Sequence, residues 1–331
     1  MHKNADVNPG EGAVFLDADS LDRGDLDISA LERELPGMAW YGTTPPEHVA
    51  ERVGDAGCVV VNKVVLDAAF FEAHPAVALV CIVATGTNNV DLEAAARHGV
   101  TVVNCQGYGT RSLAQHVLGL VLMLARSIPA YVDDVRGGVW SRSPFFCLLD
   151  HPIRELDGMR LGLVGYGAIA EEVGRVCGAL GMEVVVAERA GQAPRSGRVG
   201  FDTVVETSDV ISLHCPLTEQ TRGLVDEGVL RRMRRGAILI NTARGGVVDE
   251  AALLHAVREG WIAGAAVDVL DGEPPAPDHP LIAAGLPNLI VTPHCAWGSL
   301  EARQRVVEQT AENVAAWRAG RPVRVVAQPQ P

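Results

Sequence analysis

Positive charge is scarce in this sequence: 28 lysines and arginines stand against 41 aspartates and glutamates, a formal net charge of −13. A surface of that sign repels phosphate backbones and anionic lipid, which argues against nucleic acid and membrane surfaces as partners. Long hydrophobic runs are missing too. The longest apolar stretch, residues 113–125, contains Gln115 and His116, is too short to span a bilayer, and is expected as a buried helix. Paired cysteines are absent: Cys58, Cys81, Cys105, Cys147, Cys177, Cys215 and Cys295 are odd in number and scattered, with no CxxC pair. That spacing offers no disulfide framework and no zinc site, and it predicts reduced, mostly buried thiols and no metal. Residues 1–12 are polar and lack the apolar core of a signal peptide, so a disordered start to a soluble, cytoplasmic chain is expected. No internal repeat and no low-complexity tract is present beyond the Gln-Pro tail.

What the chain does have is length and glycine. Its 331 residues exceed one ordinary domain of roughly 150 residues, so two domains, and with them a cleft, are expected. With 35 glycines and 48% hydrophobic residues it reads as globular α/β. In the front third, strand-like runs at 13–16, 58–61, 78–83 and 100–103 alternate with helical patterns at 46–53, 67–73 and 91–98. Such alternation builds a parallel sheet with helices on both faces. A second series follows, with strands expected at 161–164, 183–187, 210–213, 237–240, 264–267 and 289–291, and helices at 168–180, 226–233 and 249–259. Residues 300–317 read as a long helix that can return to the first domain, which makes that domain discontinuous. Segment 137–157, with Trp140, Phe145, Phe146, Leu148 and Leu149, is too apolar for a solvated linker and suggests burial against a second subunit.

Chemistry first surfaces in the run from Leu161 to Ala170, where a strand turns through Gly165, Tyr166 and Gly167 into a helix opening at Ala168 and Ile169. This is the G-x-G-x-x-A form of the dinucleotide fingerprint: Gly165 for the tight turn, Gly167 for close approach of a pyrophosphate, the helix N-terminus for its charge. A glycine pattern alone is equally a plain turn. Glu188, at the end of the next strand, strengthens it, because a carboxylate there accepts the ribose hydroxyls of NAD and repels the extra phosphate of NADP. Arg189, Arg195 and Arg198 lie close by and keep NADP open as a second cofactor.

The last three strands of the second series each end in a polar group: Arg244, Glu273 and His294. In an open α/β sheet ligands bind beyond the carboxyl ends of the strands. A cation for a carboxylate, a proton donor for a carbonyl oxygen and an acid to hold that donor charged are what hydride transfer to a 2-oxo acid requires. Each residue alone has a plain structural alternative; together on one edge they point to function.

These features lie in a chain that resembles the D-isomer-specific 2-hydroxyacid dehydrogenases over essentially its whole length. The resemblance is carried by Gly-Thr-Asn-Asn-Val-Asp at 86–91, the fingerprint from Gly165, His-Cys-Pro-Leu-Thr at 214–218, Ile-Asn-Thr-Ala-Arg-Gly-Gly-Val-Val-Asp at 240–249, Val-Asp-Val-Leu-Asp-Gly-Glu-Pro at 267–274 and Thr-Pro-His-Cys-Ala-Trp-Gly at 292–298. Within the family it is most similar to the glycerate dehydrogenases, or hydroxypyruvate reductases, through Asn62-Lys-Val-Val-Leu-Asp, Asn104-Cys-Gln-Gly-Tyr-Gly-Thr and Trp140-Ser-Arg-Ser-Pro. The resemblance implies two doubly wound parallel-sheet domains, with a Rossmann NAD-binding domain at 111–296 inserted into a smaller, flavodoxin-like substrate domain at 1–110 and 297–331. It implies that Arg244 binds the substrate carboxylate and carbonyl oxygen, that His294 donates the proton, and that Glu273 orients the imidazole. Asp268 and the backbone of Ala243 would hold the nicotinamide carboxamide, and His214, Cys215, Pro216, Thr221 and Thr242 would line the cofactor. Lys63, with the amides of Gly86 and Thr87, would bind the substrate carboxylate.

Two positions depart from the pattern. Gln115 stands where many relatives carry glutamate, and Cys295 follows the histidine; with no second base beside it, Cys295 is expected to be a packed thiol rather than a nucleophile. The expected activity is NAD-dependent reduction of a small 2-oxo acid such as hydroxypyruvate or glyoxylate, in a homodimer. Lactate-, sugar-acid- and phosphonate-type substrates remain open, as does a non-catalytic, NAD-sensing corepressor-like role. Formate oxidation is disfavoured, since it has no use for a Glu–His acid pair.

Overall fold

The computed structural model describes residues 12–329, so the expected polar start lies, apart from Gly12, outside the described residues. Twelve strands form among them, in chain order β1 (Ala13–Phe15), β2 (Ala39–Trp40), β3 (Cys58–Val61), β4 (Leu79–Ile82), β5 (Thr101–Val103), β6 (Arg160–Val164), β7 (Glu183–Val186), β8 (Val210–Leu213), β9 (Ile238–Asn241), β10 (Gly264–Val267), β11 (Leu289–Val291) and β12 (Val325–Ala327). They make two six-stranded sheets in an α/β architecture. The chain divides into two compact units, one running up to Gly109 and resuming at Gly298, the other Thr110–Trp297.

In the first unit the order is β12-β5-β4-β3-β1-β2, parallel except for β12, which runs antiparallel to β5. The β2-β1-β3-β4-β5 part is the flavodoxin-like order. β3 (CVVV) and β4 (LVCI) are buried at every position, as befits central parallel strands covered on both faces. Asp67 and Asp91 start the helices Ala68–Ala73 and Leu92–Arg97 by accepting from Phe70 N and Ala94 N, each at 2.9 Å. The long helix Leu300–Arg318 packs on the short helix Ser29–Glu34 of the same unit. Arg303 on the long helix forks onto Asp25 at 2.8 and 2.7 Å.

The second unit is ordered β11-β10-β9-β8-β6-β7, all parallel. Val199 adds a single parallel bridge to Ala187. Alternate residues of β9 feed two apolar layers: Ile238 and Ile240 pack with Leu161, Leu163 and Val117, whereas Leu239 packs with Leu213, Val267 and Leu253. The apolar stretch at 113–125 forms the carboxyl-terminal part of the helix Thr110–Ala125, whose Val117, Leu120 and Val121 are buried. No single helix among the described residues is long and apolar enough to cross a membrane.

Several short elements were not anticipated. β2 has two residues and β12 three, too few for a period-two pattern to register. The helix Ile128–Arg136 has one buried position, whereas Phe201–Thr207 carries Phe201, Val204 and Val205 at helical spacing, a signal that was there to be read. The helical pattern at 46–53 splits into a 3₁₀ turn, Pro46–His48, and a short helix, Val49–Val53.

The turn after β6 sets how closely a ligand can approach the sheet. Gly165 has φ +86°, and a Cβ there would lie 2.7 Å from Cys215 N and His214 C. A side chain therefore meets both a left-handed backbone and a neighbouring strand end that has no room to move. Gly165→Ala is expected to lower stability by about 1–3 kcal/mol, read as a fall in the unfolding midpoint, with dinucleotide binding weakened beyond what the lost stability explains.

Candidate active site

The carboxyl ends of β6, β7 and β8 bring the fingerprint residues together. Gly167 caps the 11-residue helix Ala168–Gly178 with extended backbone and no side-chain cap, and a Cβ built on it would meet nothing within 4 Å. Open space thus stands in front of a helix N-terminus whose first amides no side chain has claimed. Ala170, in place of the third glycine, is fully buried, so its methyl group is accommodated between helix and sheet. Tyr166 is half exposed.

Glu188 follows β7 and is buried, its carboxylate accepting from Arg189 N at 2.9 Å and from the Arg195 guanidinium at 2.6 and 2.7 Å. That fork, with the backbone amides behind it, holds the carboxyl down to about 2. Arg198 donates to Ala187 O at 3.1 Å and lies 5.9 Å from the Tyr166 ring centroid. After β8, burial pushes His214 down to about 4, so its ring is neutral near neutral pH; its Nε2 is 2.9 Å from Ser212 Oγ. Cys215 is buried, and burial pushes its thiol up. Thr221 closes its own loop, donating to Pro216 O at 2.6 Å and accepting from Thr218 N at 2.7 Å. Thr242, after β9, has a buried hydroxyl with no hydrogen-bond partner. A buried hydroxyl left unpaired is costly unless a ligand completes it. The open helix end, the glycine cradle, the buried acid and this orphaned hydroxyl fit a pyridine dinucleotide.

β9, β10 and β11 are adjacent and in register, Asn241 level with Val267 and Val267 with Val291, so the loops after them emerge side by side. The buried Asn241 shapes the first loop: its Nδ2 donates to Arg244 O at 2.9 Å and its Oδ1 accepts from Ala243 N at 3.1 Å. Arg244 is half-buried, with Nη1 on Ala243 O at 2.7 Å. The next residue must be glycine, because a Cβ on Gly245 would collide with the backbone of Leu270 and Asp271. In the second loop Glu273 accepts from Leu270 N at 2.8 Å through Oε1 and meets His294 Nδ1 at 2.6 Å through Oε2. The structure thus brings Glu273 and His294 into direct contact, with Arg244 on the neighbouring strand end.

His294 itself sits at φ +51°, a region unfavourable for a residue with a Cβ. Asp268 holds it there. This buried carboxylate accepts from Thr292 Oγ1, from Cys295 N at 3.0 Å and from Ala296 N at 2.9 Å, while Asp268 O accepts from His294 N at 2.8 Å. His116, from the helix Thr110–Ala125, reaches the same cluster, with Nε2 3.1 Å from Thr292 Oγ1 and 3.7 Å from Asp268 Oδ1. The bracing by Asn241, Asp268 and His116 was missed in the sequence, since a buried polar residue at a strand end carries no period of its own and the half-buried His116 reaches the cluster from a helix far away in the chain.

In the first unit, Lys63 follows β3 and is exposed, and Gly86 and Thr87 follow β4 and are half-buried. The two loops are tied by Asn89 Nδ2 donating to Val64 O at 2.9 Å. Asp17, buried after β1, shapes the Lys63 loop by accepting from Asn62 N, Lys63 N and Val64 N at 2.8, 2.6 and 3.2 Å. It too was not anticipated.

Cys295 corrects an expectation: it is exposed rather than packed. Its thiol is nevertheless pushed up, first by partial burial and then by the Asp268 charge, so it stays protonated and poorly nucleophilic. Gln115 is exposed on its helix. Asp268→Ala would orphan three donors of the turn behind His294. We expect about 2–4 kcal/mol of lost stability, seen in denaturant unfolding, and a fall in kcat of at least about tenfold in the protein that remains folded.

Comparison with known proteins agrees with this geometry. Residues 118–296 match the family model for the D-isomer specific 2-hydroxyacid dehydrogenase NAD binding domain. The glycerate dehydrogenase of Methylorubrum extorquens is 43% identical over 95% of this chain and 98% of its own, and the hydroxypyruvate reductase of Blautia hydrogenotrophica 36% identical over 95% and 98%. The crystal structure of D-lactate dehydrogenase with NAD+ from Lactobacillus jensenii superposes with a TM-score of 0.78 at 26% identity, covering 96% of this chain and 99% of that one. A cradle for a dinucleotide beside a histidine–glutamate pair and an arginine, in a chain related end to end to such enzymes, places this protein in the D-isomer specific 2-hydroxyacid dehydrogenase family, as an NAD-dependent oxidoreductase of 2-oxo and 2-hydroxy acids.

Proposed function

We propose that the chain reduces hydroxypyruvate, and the smaller glyoxylate, to the corresponding 2-hydroxy acid with NADH, Arg244, Glu273 and His294 doing the work. The observation that carries this is the 2.6 Å contact between His294 Nδ1 and Glu273 at the strand end next to Arg244. Bound NADH supplies the hydride. Arg244 spends one N–H on Ala243 O and keeps the rest of its fork for a carboxylate and a carbonyl oxygen. With Nδ1 donating to Glu273, Nε2 is the imidazole atom left to give its proton to the developing alkoxide. Glu273, anchored by Leu270 N, balances the positive ring before transfer and keeps its orientation afterwards. Lys63, with the amides of Gly86 and Thr87, is assigned to the substrate carboxylate; in a chain of net charge −13, placed cations of this kind are what would draw an anionic substrate in. Asp268, the backbone of Ala243, Thr242 and the fingerprint residues are assigned to the dinucleotide.

The relatives named glycerate dehydrogenase and hydroxypyruvate reductase support hydroxypyruvate as the first substrate to try. Steady-state kcat/KM across a panel of 2-oxo acids is expected to peak at hydroxypyruvate, with glyoxylate next; a peak at pyruvate, a sugar acid or a phosphonate would reassign the substrate. Turnover of none of them, with NADH binding intact, would remove the enzymatic reading. His294→Gln is expected to lower kcat by about 10²–10⁴-fold while leaving NADH binding nearly unchanged, and Glu273→Gln to lower it less.

We also propose a homodimer in a reducing compartment such as the cytoplasm. All seven cysteines are free. Phe145, Phe146 and Leu149 are 73%, 90% and 76% exposed on segment 137–157, an apolar arm that a second copy would cover. Solution mass by light scattering should be about twice 35.0 kDa. A monomer at working concentration would contradict this.

A further inference from the structure

Glu188 is the acid a dinucleotide's adenosine ribose is expected to meet, yet its acceptor capacity is already used. A carboxylate offers about four acceptor positions. Oε1 takes Arg189 N at 2.9 Å and Arg195 Nη2 at 2.7 Å; Oε2 takes Arg195 Nε at 2.6 Å and Arg195 N at 3.3 Å. Two of the four donors come from one guanidinium. Glu188 is buried, whereas the Arg195 side chain is 63% exposed, so the acid is fixed and the cation is the part that can leave. Arg198 stands 5.9 Å from the ring of the fingerprint residue Tyr166, and Arg189 is exposed next to the acid. One guanidinium, that of Arg195, therefore occupies this carboxylate, with Arg189 next in sequence and Arg198 on the carbonyl of Ala187 just before it, at the place that distinguishes a ribose diol from a ribose 2′-phosphate.

We propose that Arg195 is a cofactor-selecting latch that lets the enzyme accept both NADH and NADPH. The proposal rests on the dinucleotide reading of this site. With NADH, the two ribose hydroxyls replace the two guanidinium donors on Glu188, and the arginine swings into solvent. With NADPH, the guanidinium stays over Glu188 or turns to the 2′-phosphate, forking onto its oxygens and screening them from the acid below. Without Arg195, Glu188 keeps its two backbone donors and its charge; it is then free for the diol at once and repels the phosphate unscreened. The latch thus opposes NADH and favours NADPH, so it flattens a preference that Glu188 alone would make steep.

Direct binding, read as quenching of protein fluorescence on titration with NADH and NADPH in the absence of substrate, tests this on the whole enzyme. The wild type is expected to bind both with Kd values within about tenfold of each other. Arg195→Ala should weaken NADPH by about tenfold or more and tighten NADH about threefold. Arg195→Gln, which keeps a shorter polar side chain without the charge or the fork, should shift the two in the same directions. Glu188→Gln should weaken NADH and spare NADPH. A wild type that binds NADH but not NADPH at millimolar concentration overturns the latch, as does an unchanged NADH-to-NADPH ratio in both Arg195 variants. A wild type that binds neither removes the dinucleotide reading itself, and the latch with it.

Discussion

The buried carboxylate of Asp268 decides where the proposed proton donor points. It accepts two backbone amides and a hydroxyl from the turn after β11, and its own carbonyl receives the His294 amide. A histidine at φ +51° would otherwise relax, since the left-handed region disfavours a residue with a Cβ by roughly 1–2 kcal/mol. Strain of that kind persists only where the surroundings over-determine the backbone. Here they do, and the imidazole is delivered to Glu273 at hydrogen-bond distance.

The same logic recurs at each strand end. Asn241 ties the loop that carries Arg244, Leu270 N holds Glu273, and Asp17 gathers three amides of the loop that carries Lys63. In every case a buried polar group at the carboxyl edge of a parallel sheet converts a flexible connection into a positioned one. Parallel register supplies the rest, because strands that end level release their loops side by side. The functional edge is therefore a property of the sheet, with the side chains grafted onto it.

Charge is arranged with equal economy. A protein of net charge −13 that handles anions needs locally placed cations, and the residues proposed for that part, Arg244, Lys63 and the cluster of Arg189, Arg195 and Arg198, each lie in a connection that leaves the carboxyl end of a strand. His214 adds no positive charge there, because burial keeps its ring neutral.

Sequence alone determined the repeating strand and helix pattern, the glycine turn at Gly165, the acid at Glu188 and the succession Arg244, Glu273, His294, because each is a local event: an apolar run, a turn that needs a missing Cβ, a polar residue just past a strand. Strands as short as β2 and β12, and the helix Ile128–Arg136 with its single buried position, left no period to read. Only the tertiary structure decided that Asp268 and His116 brace the histidine turn, that Cys295 is exposed, and that Arg195 rather than solvent meets Glu188. Those outcomes depend on residues far apart in the chain sharing one carboxylate or one surface, and sequence spacing holds no record of that.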